Sequence, residues 1–191
     1  MRSRAASLVD LLPAFQPENE LERRLDRDPR LVEGLAWGRP RKGHPEGAVA
    51  NHVADLLETI DQWAETGTRR ADLRFISLVH DAFKHAVSPL RPKFGENHHA
   101  MRARRFAEEY TDDERLLATI QLHDRPYGLW RRRRWTAGVP AHKVDSMLAR
   151  IPDLELFLRF VELDGSTEGK TPEPIEWLRG EVRRRGLTPV A

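Results

Sequence analysis

Apolar residues in this chain recur three and four positions apart, and runs of alternating apolar and polar residues are missing; that periodicity restricts the chain to helices. Val49, Val53, Leu56, Leu57, Ile60 and Trp63 trace one face of a helix from Glu46. Leu73, Ile76, Val79, His80 and Phe83 trace a second, and Met101, Phe106 and Tyr110 a third. Asp112-Asp113 open a fourth helix with Leu116, Leu117 and Ile120 inward; Leu154, Phe157, Leu158 and Val161 form a fifth. A last amphipathic helix opens near Pro174 with Ile175, Leu178 and Val182. Weaker helices lie at Leu8 to Leu12 and Leu21 to Leu25. Breaks are expected at Gly38-Arg39-Pro40, Ser88 to Pro92, Gly138-Val139-Pro140 and Thr171-Pro172. The fold class is therefore all-α. Residues 1–43 read as an N-terminal helical extension, 44–168 as the principal domain, and 169–191 as a C-terminal helix packed on it.

Composition narrows the chemistry. There is no cysteine, which removes disulfides, thiolate metal sites and cysteine nucleophiles, and there are eight histidines. Any transition-metal site must then use imidazole and carboxylate. No apolar run approaches the roughly 18 residues that span a bilayer, and the N-terminal stretch has no long apolar segment of the secretory kind. A cytoplasmic protein without membrane partners is expected. The 32 Lys and Arg nearly cancel the 30 Asp and Glu, so net charge does not argue for duplex nucleic acid.

Helical phase places several of the polar residues inward. His52 follows Val49 by three, His80 follows Ile76 by four, His123 follows Ile120 by three, and Asp164 follows Val161 by three. Asp81 sits beside the His80 face. Several inward polar groups on separate helices would each need a buried partner, and a shared metal satisfies them together. His85 and His142 adjoin loop signals and read as solvated. His44 reads as a cap or surface residue.

The ordered series His52, His80-Asp81, His99, His123 and Asp164 resembles the HD-domain superfamily of metal-dependent phosphohydrolases. Local stretches add to this. His44-Pro45-Glu46-Gly47 with Asn51-His52-Val53 is similar to the entry into the HD module of bacterial CCA-adding tRNA nucleotidyltransferases. The stretch from Leu73 to Lys84, Glu96-Asn97-His98-His99, Gln121-Leu122-His123 and Val161 to Gly165 resemble that module's other motifs, covering about residues 44–168. The 43 preceding residues are too few for a nucleotidyltransferase head, Phe83 stands where the pattern has Gly, and no Gly-Tyr-Pro signature of the cyclic-di-GMP branch is present. The resemblance implies an HD-domain helical bundle with two divalent transition-metal ions (Fe, Mn, Co or Ni) between its helices. His52, His80 and Asp164 would complete one metal and His99 and His123 the other, with Asp81 bridging. Of His98 and His99, the small Ala103 four positions on favours His99, with His98 the alternative.

The implied activity is hydrolysis of a nucleotide-like phosphomonoester or phosphodiester, with a metal-bridging hydroxide held between ions about 3.5–4 Å apart. Lys84, nearly one turn past Asp81, would face the same cavity and offset phosphate charge. Asp124 could orient the neighbouring imidazole, and Arg125 could reach a phosphate. Trp130-Arg131-Arg132-Arg133-Arg134-Trp135 reads either as a solvated basic loop or as a phosphate funnel with a stacking tryptophan; Arg131 and Arg132 are then substrate contacts. A small phosphorylated substrate or an RNA end fits these cations. The same ligand set also occurs in HD proteins resembling di-iron oxygenases that act on a phosphonate or polyol, and a non-catalytic regulatory HD module is the third reading.

Overall fold

The computed structural model describes residues 7–40, 47–133, 138–167 and 169–187. Among them the chain is a bundle of α-helices with no strand beyond one isolated bridge, Gly38 to Ala48. In order, the helices are α1 (Leu8–Leu11), α2 (Glu20–Asp26), α3 (Pro29–Ala36), α4 (Val49–Gln62), α5 (Gly67–Val79), α6 (His99–Ala107), α7 (Glu114–Leu122), α8 (Arg125–Arg132), α9 (Ala141–Leu148), α10 (Leu154–Gly165) and α11 (Glu173–Arg184). No helix among the described residues is long and apolar enough to cross a membrane.

Side-chain caps set several helix starts. Asn19, Asp28, Asp113 and Asp153 each accept a bond from a backbone N–H in the first turn of α2, α3, α7 and α10. Asp113 thus caps α7, at the acidic pair where a helix start was expected. Helices α8 and α9 were not anticipated. The basic run from Trp130 is the end of α8 and its cap at Arg133, not a loop, and His142 is exposed but helical. Glu46 and His44-Pro45-Glu46, and likewise Arg134-Trp135, lie outside the described residues.

Two apolar clusters share α10. The larger is built from α1 to α7 with Leu156, Phe160 and Leu163; the smaller joins Leu129, Val144, Met147, Leu178 and Val182 to Phe157 and Leu158. The stripe read from the sequence, Leu154, Phe157, Leu158 and Val161, is the face of α10 that packs on the smaller cluster. A helix apolar all round is buried on both sides.

Residues 7–36 are built into the larger core. Leu8, Leu12, Leu25, Leu31 and Leu35 are fully or almost fully buried there. Arg74 on α5 donates to both carboxylate oxygens of Glu22 at 2.8 Å and to the Gln16 carbonyl at 2.9 Å. With both side chains buried, removing Arg74 would strand the Glu22 charge, at a cost of about 3–5 kcal/mol, whereas Arg74 also pairs with Glu18 at 3.1 Å. Gly34 on α3 lies so close to the chain after Asp81 that an added Cβ would stand 2.0 Å from the Ala82 carbonyl oxygen. The N-terminal helices therefore support, by direct backbone contact, the turn that carries Asp81.

Candidate metal centre

The inward-facing groups come from helix ends. His52 lies in the first turn of α4, His80 caps the C-terminus of α5, His123 caps the C-terminus of α7, His99 opens α6, and Asp164 ends α10. The second helix stops at Val79 and does not run to Phe83. Consecutive helical side chains diverge by about 100°, so Asp81 reaches the His80 side because a turn follows the helix. Phe83, where the resembling pattern has Gly, packs its ring on Phe106 at 5.0 Å.

These residues converge. His52 Nε2 is 3.0 Å from Asp164 Oδ1, and His80 Nε2 is 3.9 Å from the same oxygen and 3.4 Å from Asp81 Oδ2. Asp81 Oδ1 faces His99 Nε2 at 3.3 Å and His123 Nε2 at 3.6 Å. His52, His80 and Asp81 offer ligand atoms within 4.8 Å of one another, as do Asp81, His99 and His123. Asp81 belongs to both groups.

A metal fits these donors. His80 Nε2, Asp81 Oδ1 and His99 Nε2 are buried without a hydrogen-bond partner, which is costly unless something satisfies them. Two ligands each about 2.1 Å from one ion stand roughly 3.0–3.4 Å apart, close to the spacings around Asp81. In His80 and His123 the other ring nitrogen is already engaged. Nδ1 of His80 donates to the Ser77 carbonyl at 3.1 Å, and Nδ1 of His123 to the Ile120 carbonyl at 2.8 Å. Those bonds put the proton on Nδ1 and leave the Nε2 lone pair for a metal.

His98 is wired the other way. It caps the N-terminus of α6, and its Nδ1 accepts from the Ala100 N–H at 3.3 Å. The neutral ring then carries its proton on Nε2, which faces Asp124 Oδ2 at 3.4 Å. His98, His99 and Asp124 form a third convergent group at the rim. Of the two histidines, His99 presents an unpartnered buried nitrogen to Asp81, while His98 is committed to its cap.

Both central carboxylates are held ionised. Burial pushes Asp81 up, but the charge of Lys84 and the imidazoles of His80 and His123 hold it well below the ordinary carboxylate range. Burial likewise opposes ionisation of Asp164, and Lys170 with His52 outweighs it. Lys84 pairs directly with Asp81 Oδ2, and Lys170 lies 2.7 Å from Asp164 Oδ1. Burial lowers His80 and keeps it neutral. It works in the same direction on His123, but Asp81, Asp124 and Asp164 prevail and push that imidazole up to about 9.

Sequence reasoning missed Lys170. It follows Gly169 in the loop after α10, where no periodicity marks which way a side chain turns. His85 is half-buried, its Nδ1 on the Ala82 carbonyl at 3.0 Å, and so is not simply solvated. Arg125 is exposed at the start of α8, near enough that its charge helps to keep His98 neutral, after burial. Arg131 and Arg132 are exposed seven and eight residues past Asp124, about 10 Å along the helix axis, with Arg131 over the Tyr127 ring.

The chain matches no protein-family model, no curated protein and no solved structure.

Proposed function

We propose that this protein is a metal-dependent phosphohydrolase of the HD type, holding two divalent transition-metal ions and acting on a nucleotide-like phosphomonoester or phosphodiester. The carrying observation is the shared carboxylate: Asp81 is buried between two imidazole groups, with His52 and His80 on one side and His99 and His123 on the other. Asp164 extends the first group through His52 and His80. Ions bound there would supply Lewis-acid activation of water and of a phosphoryl oxygen.

The chain's own residues then have definite tasks. The Ser77 and Ile120 carbonyls hold the His80 and His123 rings with Nε2 inward. Lys84, paired with Asp81 at the edge of the centre, offers a cation to the phosphate as its charge grows. Arg125, exposed beside His98, is positioned to attract the anionic substrate.

Loading metal-free protein with Mn, Fe, Co or Ni and assaying a panel of phosphomonoesters and phosphodiesters tests the proposal. Two bound equivalents with turnover that disappears in Asp81→Asn are the expected result. Two equivalents with no phosphate ester turned over would overturn it, and iron with substrate-dependent oxygen consumption would replace it by an oxygenase.

A further inference from the structure

Two arms leave the metal centre, and each carries an exposed aromatic ring among cations. The first is the loop from Lys84 to His98. It departs three residues after Asp81 and returns directly into His99. Leu90 is 94% exposed and Phe94 73%, with Arg91 and Lys93 exposed between them. No acidic residue occurs from Ala82 to Gly95, and the first one, Glu96, pairs with Arg105 at 3.5 Å.

This loop is ordered from within. The buried Asn97 side chain accepts from the Ser88 N–H at 2.9 Å and donates to the carbonyls of Ser88, Arg91 and Pro92, each at 3.1 Å. Pro89 and Pro92 stiffen the tip further. Leu90 and Phe94 are thus held in water, and that exposure is not a by-product of slack chain.

The second arm is α8. It follows Asp124, its N-cap residue beside His123, and there is no acidic residue from Arg125 to Arg133. Asp124, Tyr127 and Arg131 are spaced i, i+3 and i+7, so they share one face. Tyr127 is half exposed, with Arg131 over its ring at 5.9 Å. The arms meet at the His98–Asp124 contact of 3.4 Å, next to the metal-ligating groups.

We infer that the substrate is a single-stranded polynucleotide, its scissile phosphate at the metal centre and its flanking bases stacked on Phe94 and Tyr127. The inference rests on the phosphohydrolase proposal and gives its substrate class. A planar ring stacks on any base, and interleaved cations follow the backbone, which is the usual design for binding a single strand without sequence preference. The near-zero net charge of the whole chain is compatible with this, because the two arms are local stretches in which cations stand without acidic residues. A mononucleotide would need neither a projecting loop nor a second aromatic a turn along α8.

A fluorescein-labelled single-stranded RNA octamer, titrated by anisotropy in EDTA, tests binding apart from turnover. We expect the octamer to bind at least tenfold more tightly than a labelled mononucleotide. Phe94→Ala and Tyr127→Ala should each weaken it by about tenfold, within the range of one lost base stack. The double substitution Arg91→Ala/Lys93→Ala should reduce the salt slope by roughly 1.4. All these side chains are exposed, so circular dichroism should show unchanged folding. Equal affinity for octamer and mononucleotide, or no effect of Phe94→Ala and Tyr127→Ala, overturns the inference. So does Phe94-dependent binding to phosphatidylserine vesicles with no octamer bound, which would make the loop a membrane contact. If metal-loaded protein cleaves small phosphate esters but ignores the octamer, the substrate class alone falls. If it binds the octamer but cleaves no phosphate ester, the phosphohydrolase proposal falls and takes the strand's role as substrate with it.

Discussion

The inner His/Asp cluster, the candidate metal centre, and its rim use the same residue types with opposite wiring. His80 and His123 sit at helix C-termini, where free carbonyls take the proton of Nδ1. His98 sits at a helix N-terminus, where a free N–H takes the lone pair of Nδ1. In the neutral ring, the end of the helix therefore decides which nitrogen faces the neighbouring carboxylate bare and which faces it with a proton. An imidazole at a C-terminus is prepared to ligate through Nε2. One that caps an N-terminus is prepared to donate from Nε2, here to Asp124. Counting histidines does not distinguish these cases; their position along the helix does.

The sharpest way to break this contrast is at Asp81, which both inner groups share. On the proposed two-metal phosphohydrolase reading, Asp81→Asn should reduce bound metal from two equivalents to below one and lower phosphate-ester turnover at least about 10²-fold, as loss of a key electrostatic group does. Mass-spectrometric metal analysis beside the hydrolysis assay reads both. Full retention of metal would mean that Asp81 does not join the two groups.

Next in size is a matched pair. His80→Gln should lose metal as Asp81→Asn does. His98→Asn keeps an N-cap acceptor at α6 and should retain both ions, with affinity reduced about tenfold, the lower range for a residue that acts through a ligand's surroundings. Metal titration of both variants decides it. Equal losses would erase the distinction between centre and rim.

A smaller effect follows from proton linkage at His123. Its folded value of about 9 lies above the ordinary 6.5. The stabilisation it contributes to the metal-free protein is thus complete below pH 6.5 and is lost as pH rises through 9. His80, lowered by burial, is neutral across that window and does not oppose the trend. Tm measured in EDTA should fall by several degrees between pH 6.5 and 9, and His123→Gln should flatten the curve. In the presence of saturating metal, which competes with the proton, the fall should disappear.

Smallest of all is Lys170→Met. Its ammonium group pairs with Asp164 from a partly solvated position, with a third of the side chain exposed. Such a pair contributes no more than about 1 kcal/mol, and urea unfolding should show a loss within that range. A much larger loss would place Lys170 among the groups on which the inner centre depends.

The amino-acid pattern by itself determined the helical class, the stripes of α4 and α7, and the residue types of the centre, because a 3.6-residue period and a metal's preference for imidazole and carboxylate are local properties. His52 and His123 were legible for that reason. Asp81 was legible only as a neighbour of His80, since its approach depends on the chain leaving the helix at Val79 and on Gly34 letting α3 press against Ala82. Helices α8 and α9 were hidden by charge and by flanking breakers, and the two-sided burial of α10 by a stripe that accounts for one face only. The different hydrogen bonding of His98 and His99, the tautomer of each neutral ring that bonds a backbone group and the pairing of Lys170 with Asp164 were decided by tertiary structure alone. Each depends on which helix end, or which distant loop, is brought against the side chain, and periodicity within a segment carries no information about that.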